Sequence, residues 1–433
     1  MIDQALIATL KPSVFGVVVA VDGPKIRVGG ISRFVRIGDR LSIARRDRHA
    51  LIAETFAVEQ GAALAYAFEP TEGVTAGARA DLKPDIAFVR PSEDWLGRVI
   101  NWRGETIDGA RPRNGARAMA LNAPPPPAAL RRSLGERLPT GMAAFDTFLP
   151  LCRGQRVGVF AGSGVGKSSL LASLAAGIDA DICVVALIGE RGREVLSFME
   201  MARAAGILGR TVVIASTSDE PPLARRESAR LALSVAEYFR RAGAHVLLIF
   251  DSLTRFADAH REIALAKGEP PSLHAYPPST VSTLAALVER AGPGVDGEGD
   301  ITALFSVLVA GSDMEEPVAD IVRGLLDGHV VLDRAIAERG RFPAVDIRRS
   351  VSRSLPAAAS AEENATLIEA RRVIAAYENA ELILRAGLYV AGADAAIDRA
   401  IALWPRLDAF VAQGGMADAE TSFSRLREIL RSN

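Results

Sequence analysis

The chain has 433 residues, 49% of them hydrophobic and 24% charged, with a formal net charge of −1. That balance excludes a disordered or fibrous protein, gives no electrostatic reason to expect nucleic acid or an anionic membrane as a partner, and at this length calls for two or three domains. The two cysteines, Cys152 and Cys183, sit in apolar surroundings; they exclude a disulfide framework and fit small buried hydrophobes in a reducing cytosol.

The opening residues, MIDQALIATLKPS, lack the basic and long apolar stretches of a secretory signal. No apolar run reaches the ~20 residues that span a bilayer, so membrane association is expected only through partner proteins. From about residue 11 to 82 the chain reads as short strands cut by turn chemistry. Val14–Val21 ends at Asp22-Gly23-Pro24, Lys25–Val28 at Gly29-Gly30, and Phe34–Ile37 at Gly38-Asp39. Strands this short and closely spaced predict a small β-barrel. Phe15, Phe34, Phe56 and Phe68 are expected in its core, with Arg45, Arg46 and Arg48 on a solvated turn. Pro124 to Pro127 stiffen a surface connector.

From Gly154 onward apolar β-rich runs alternate with longer helical stretches. The strands are expected at Arg156–Ala161, Ile182–Gly189, Thr211–Ser216, His245–Asp251 and Ile301–Ala310, with helices such as Glu194–Ala205 and Pro222–Ala242 between them. Near-continuous apolar strands between helices imply an α/β fold with a parallel sheet covered on both faces. Beyond residue 356 only helical spacing remains, at Ala361–Ala386, Ala393–Ala412 and Thr421–Arg431. The expected division is a barrel domain at 1–82, an α/β domain at 83–355 and a helical domain at 356–433.

Within the second domain, Ala161-Gly162-Ser163-Gly164-Val165-Gly166-Lys167-Ser168-Ser169 follows a strand and opens a helix. In that context the three glycines let successive backbone N–H groups face phosphate oxygens, and the helix N-terminus adds partial positive charge. Lys167 is placed for the β- and γ-phosphates of ATP, Ser168 for Mg²⁺, and Ser169 for the α-phosphate region. Ala161 stands where the strict motif has Gly. Asp251 and Glu190 each end an apolar strand, the edge where open α/β sheets bind ligands. Asp251 suits a carboxylate holding Mg²⁺. Read from position alone, Glu190 suits a base for the attacking water or an ordinary first-turn acid equally well.

The series AGSGVGKSS (161–169), LIGERGREV (187–195), FDSLTRFADAHREIALAKGEPP (250–271), AYPPS (275–279), LVERAG (287–292), LDGHVVLDR (326–334) and RFPAVDIRRSVSR (341–353) resembles the rotary and type III secretion ATPases. Within that family the likeness is greatest to flagellar protein-export ATPases, and it weakens over the N-terminal barrel. It implies a RecA-like core that binds ATP and Mg²⁺. Glu190 falls on the catalytic glutamate, Arg191 and Arg193 on basic residues beside it, and Arg255 on an arginine near the nucleotide. Phe342 falls on the aromatic that stacks on adenine, and Arg353 on an arginine finger reaching the neighbouring subunit's γ-phosphate.

The resemblance further implies a homohexamer with sites at subunit boundaries, in the cytoplasm and peripheral to the inner membrane at an export apparatus. Stator and stalk proteins, an export gate, and export chaperones with their substrates are the implied partners. The proline-stiffened loop Gly268–Ser279 would face the central channel, where Tyr276 either meets a partner or anchors its own loop. An injectisome ATPase is the alternative; Ala361–Asn433 lacks the acidic run expected of a rotary synthase subunit, Glu190 argues against a non-catalytic ring subunit, and an RNA translocase would carry a basic, aromatic barrel face. Only Met1–Leu10, with Ile2, Leu6 and Leu10 on one helical face, precedes the first strand, so a stator contact there is expected to be abbreviated.

Overall fold

The computed structural model describes residues 14–46, 49–83, 88–272, 275–309 and 314–432. The contact expected from Ile2, Leu6 and Leu10 lies outside them, as do Arg48 and Ala310. Strands β1 (Phe15–Asp22), β2 (Lys25–Gly29), β3 (Arg40–Ile43), β4 (Leu51–Glu59), β5 (Ala62–Ala67) and β6 (Arg79–Lys83) close into a barrel in the order β1-β2-β5-β4-β3-β6. Phe34–Ile37, expected as a strand, is instead a turn with both Phe34 and Ile37 exposed. A barrel this small has room only for compact side chains. Its core is Val, Ile, Leu and Ala without an aromatic, which corrects the placement of the phenylalanines: Phe15 and Phe34 are exposed, Phe56 is half-buried, and Phe68 leaves the barrel altogether. Arg45 is not solvated either, because it pairs with Glu69 and donates to the carbonyl of His49.

Phe68 belongs to the joint between barrel and sheet domain. It stacks on Trp102 at 4.6 Å, and the Arg40 guanidinium lies over its ring at 4.6 Å. Around this stack lie buried ion pairs that cross the joint: Arg40 with Glu227, and Glu54 with Arg226 at 2.5 Å. Burial pushes the Glu54 carboxyl up, but Arg226 and Arg230 outweigh it and hold the group down at about 2. Glu54 therefore contributes stability that is present above its ordinary value of 4.5 and is lost as pH falls toward 2. Replacing Glu54 by Gln at neutral pH leaves Arg226 buried without its counter-charge and costs about 3–5 kcal/mol, read as a lower urea midpoint. An unchanged midpoint would show the pair to be idle.

The second domain is built on β7 (Val99–Ile100), β8 (Arg156–Ala161), β9 (Ile182–Glu190), β10 (Thr211–Thr217), β11 (His245–Asp251), β12 (Asp300–Leu308), β13 (Gly328–Leu332) and β14 (Val345–Ser352), in the order β14-β13-β8-β12-β11-β9-β10-β7. All neighbours on this path are parallel except β13 and β14, so the sheet is mixed rather than purely parallel. Leu170, Leu171 and Leu174 of the helix Lys167–Gly177 cover one face, and Leu231, Val235 and Phe239 of the helix Pro222–Arg241 cover the other. The C-terminal helices Ala361–Arg385, Ala395–Val411 and Ala419–Arg431 extend the first of these cores through Leu367, Leu407 and Phe423. A capping box at Ser360 and Glu363 starts the first of them. Both cysteines are buried and free, and burial pushes the Cys183 thiol up to about 12.

Candidate active site

The phosphate-loop motif leaves the end of β8, near the middle of the sheet. Ala161 and Val165 are buried and fix the loop at both ends of its turn; Gly162 is half-buried, and Ser163, Gly164, Ser168 and Ser169 are exposed. Gly166 caps the helix Lys167–Gly177 at φ +85°, a conformation that favours glycine. A Cβ there would also stand 3.2 Å from the Phe342 ring, so the half-exposed Phe342 lies directly against the loop.

Lys167 folds back to Asp251, to which it donates, and its Nζ lies 3.8 Å from Glu190 Oε1. The strand ends thus bring together the cation and both acids that the sequence singles out. Glu190 is 7% exposed, and its Oε1 has no hydrogen-bond partner among the described residues. Burial, then the nearby Asp251 charge, push its carboxyl up to about 7 against the opposing pull of Lys167. A carboxylate poised near neutrality can take a proton and release it again.

Ser168 and Asp251 open on one cavity of about 180 Å³, which Glu194, Leu171, Leu187 and Phe198 also line. A hydroxyl and a carboxylate are hard oxygen donors that suit Mg²⁺, an ion commonly held by one or two protein groups plus substrate phosphates and water. No group of three or more His, Cys, Asp and Glu side chains that could hold a metal ion occurs among the described residues. Arg255, in the first turn of Leu253–Ala266, is exposed, and its stem crosses Gly189, whose added Cβ would meet it at 3.2 Å. Arg191 and Arg193 are exposed beside Glu190. Tyr276 anchors its loop: its hydroxyl donates to Asp258 at 2.8 Å, and the Arg261 guanidinium covers its ring.

Arg353 is not part of this cluster. Leu332 pairs in the sheet with Ala161 at the phosphate-loop end, so Gly328 marks the other end of β13. Antiparallel β14 starts opposite Leu332 and ends with Ser352 opposite Gly328. Eight residues of strand carry the chain about 25 Å. Phe342, just before β14, therefore sits at this chain's own loop, whereas Arg353, just after it, is exposed at the opposite edge of the sheet.

Two residues at the site escape a reading by motif. Glu194 stands beside Glu190 and raises its carboxyl further. Ser306, on β12, donates to Asp251 Oδ1 at 2.5 Å. The only sequence signal for Ser306 is a polar residue in an otherwise apolar buried strand, and Thr302 in the same strand shares it.

A phosphate loop at a central strand, with carboxylates at two neighbouring strand ends, defines a P-loop nucleoside triphosphatase. Residues 141–352 match the nucleotide-binding domain of the ATP synthase alpha/beta family, and residues 359–430 match the T3SS EscN ATPase C-terminal domain. A flagellum-specific ATP synthase of Caulobacter vibrioides is 47% identical over 97% of this chain and 96% of its own length. The assembled ATPase EscN of the enteropathogenic E. coli type III secretion system superimposes with a TM-score of 0.89 at 36% identity, covering 96% of this chain and all of EscN. EscN in complex with its central stalk EscO gives 0.87 at the same identity, over 96% of this chain and all of the EscN chain. The chain belongs to the flagellum-specific ATP synthase family, close to the type III secretion ATPases, and is an ATP-hydrolysing enzyme.

Proposed function

We propose that the chain hydrolyses ATP to energise flagellar protein export, as one subunit of a homohexameric ring held at the cytoplasmic side of the inner membrane. The observation that carries this reading is the gathering of Lys167, Glu190 and Asp251 in one ion-pair cluster at the end of the phosphate loop, in a chain 47% identical to a flagellum-specific ATP synthase. The same identity favours flagellar export over an injectisome, whose solved ATPase stands at 36%. No helix among the described residues is long and apolar enough to cross a membrane, so attachment would run through partners. Those partners would be stator and stalk proteins and the export gate, with export chaperones and their substrates as cargo; an EscN-type stalk complex supports the stalk contact. The functional units are taken as 1–82, 83–355 and 356–433.

In this reading residues 161–169 wrap the triphosphate, Lys167 leaves Asp251 for the β- and γ-phosphates, and Phe342 stacks on adenine. Ser168 and Asp251 would hold Mg²⁺, which supplies charge neutralisation on the phosphates when bound. Glu190 orients the attacking water and takes its proton, with Arg191, Arg193 and Arg255 lining the approach. Arg353 completes the site of the adjacent subunit.

Replacing Lys167 by Ala is expected to lower phosphate release by about 10²- to 10³-fold. In cells lacking the gene, the same variant should fail to restore secretion of hook protein. A wild-type chain that turns over ATP yet restores no flagellar secretion would overturn the flagellar reading.

A further inference from the structure

The geometry points to Ser306 as a positioning residue that holds the Asp251 carboxylate in its metal-facing orientation while Lys167 is away on the phosphates. β12, which carries Ser306, lies between β8 and β11, and so between the phosphate loop and Asp251. Both polar side chains buried mid-strand there have partners, but of different kinds. The Thr302 hydroxyl is spent on structure, accepting from the Gly154 backbone N–H at 2.9 Å and bonding the His245 ring at 2.8 Å. Ser306 is fully buried and donates to Asp251 Oδ1.

Oδ1 also accepts from Lys167 Nζ. Both donors therefore converge on one oxygen, and the carboxylate faces the cavity it shares with Ser168. The two donors differ in permanence. Lys167 is a flexible four-carbon stem whose charge is drawn toward arriving phosphates. Ser306 is locked in a strand paired on both sides and has nowhere to go. When Lys167 leaves, a terminal carboxylate would be free to rotate about a broad torsion. The Ser306 hydrogen bond to Oδ1 removes that freedom and keeps the carboxylate in place at the cavity it shares with Ser168. Partners of this kind, one bond behind a metal-binding group, change metal affinity by about 10- to 100-fold.

The inference rests on the proposed metal-holding role of Asp251, and the experiment separates the two. Mn²⁺, in place of Mg²⁺, is titrated into the full-length protein with ADP bound, and free Mn²⁺ is followed by electron paramagnetic resonance. Ser306→Ala is expected to weaken Mn²⁺ binding about 10- to 100-fold with metal-free ADP affinity unchanged, and Ser306→Thr, which keeps the hydroxyl, to restore it. Ser306→Ala with wild-type Mn²⁺ affinity, alongside a weakened Asp251→Asn, overturns the role of Ser306 alone. An unaffected Asp251→Asn overturns the role of Asp251 as well. A drop in melting temperature without a change in Mn²⁺ affinity marks Ser306 as structural and likewise overturns the proposal. If Ser306→Ala does not fold, Ser306→Cys serves: it is nearly isosteric with a weaker donor, and wild-type Mn²⁺ affinity in that variant refutes the inference.

Discussion

Replacing Glu190 by Gln lowers ATP turnover by about two to four orders of magnitude and leaves nucleotide binding in place. The amide keeps the shape of the side chain but cannot accept the proton of the attacking water. In the free chain the buried carboxyl is pushed up to about 7, so wild-type kcat/KM, which reports the free enzyme, should rise with pH through that value, and that of the variant should be flat there. Stability should move in the opposite sense. The folded chain holds this carboxyl at about 7 against 4.5 ordinarily, so the wild type loses stability relative to the glutamine variant as pH rises between those values. At about 1.4 kcal/mol per pH unit the difference levels off near 3 kcal/mol above pH 7. Calorimetric melting across that range checks it. A melting gap that does not change with pH would show that Glu190 ionises normally, and unchanged phosphate release in the variant would remove it from the chemistry.

Arg353→Ala is expected to lower turnover of the assembled protein by about 10³- to 10⁵-fold, which is about 4–7 kcal/mol of barrier. Its position makes a stronger demand than the loss itself. Because Arg353 stands at the sheet edge opposite this chain's own phosphate loop, the variant should bind nucleotide normally and fail only at the step that needs a neighbour. Mixing Arg353→Ala chains with Lys167→Ala chains should recover part of the activity, since some boundaries then pair an intact loop with an intact arginine. Mixed assemblies verified by mass that show no recovery would sink the trans arrangement.

How much of this was legible in the sequence follows from how local each signal is. The phosphate loop is a continuous nine-residue pattern, and Asp251 and Glu190 announce themselves as acids ending apolar runs. β13 and β14 did not read as strands. β13 is only five residues long, and β14 alternates buried residues with exposed arginines at its edge, so neither shows a continuous apolar run. Phe34–Ile37 failed in the opposite way: four residues with apolar ends lie on a turn, because strand pairing depends on partners that a short window does not contain. The barrel phenylalanines misled for a related reason, since the interior takes its size from strand number and not from which aromatics are near in sequence. Ser306 shows in the sequence only as a polar residue in an apolar strand, a mark that Thr302 shares, and its partner, 55 residues away, is what singles it out.

The separation of Arg353 from its own phosphate loop gives the subunit a polarity. With Arg353 serving a neighbour as proposed, one edge offers an arginine and the other a nucleotide, complete sites would form only when copies join head to tail, and a two-fold symmetric pair could not hold two of them. On the proposed pairing, an open run of subunits always has one complete site fewer than it has members, and closure supplies the missing one. A dimer would carry a single working site and an isolated chain none. Activity per subunit would then climb steeply with protein concentration and level off at closure, making the oligomer's completion itself the on switch.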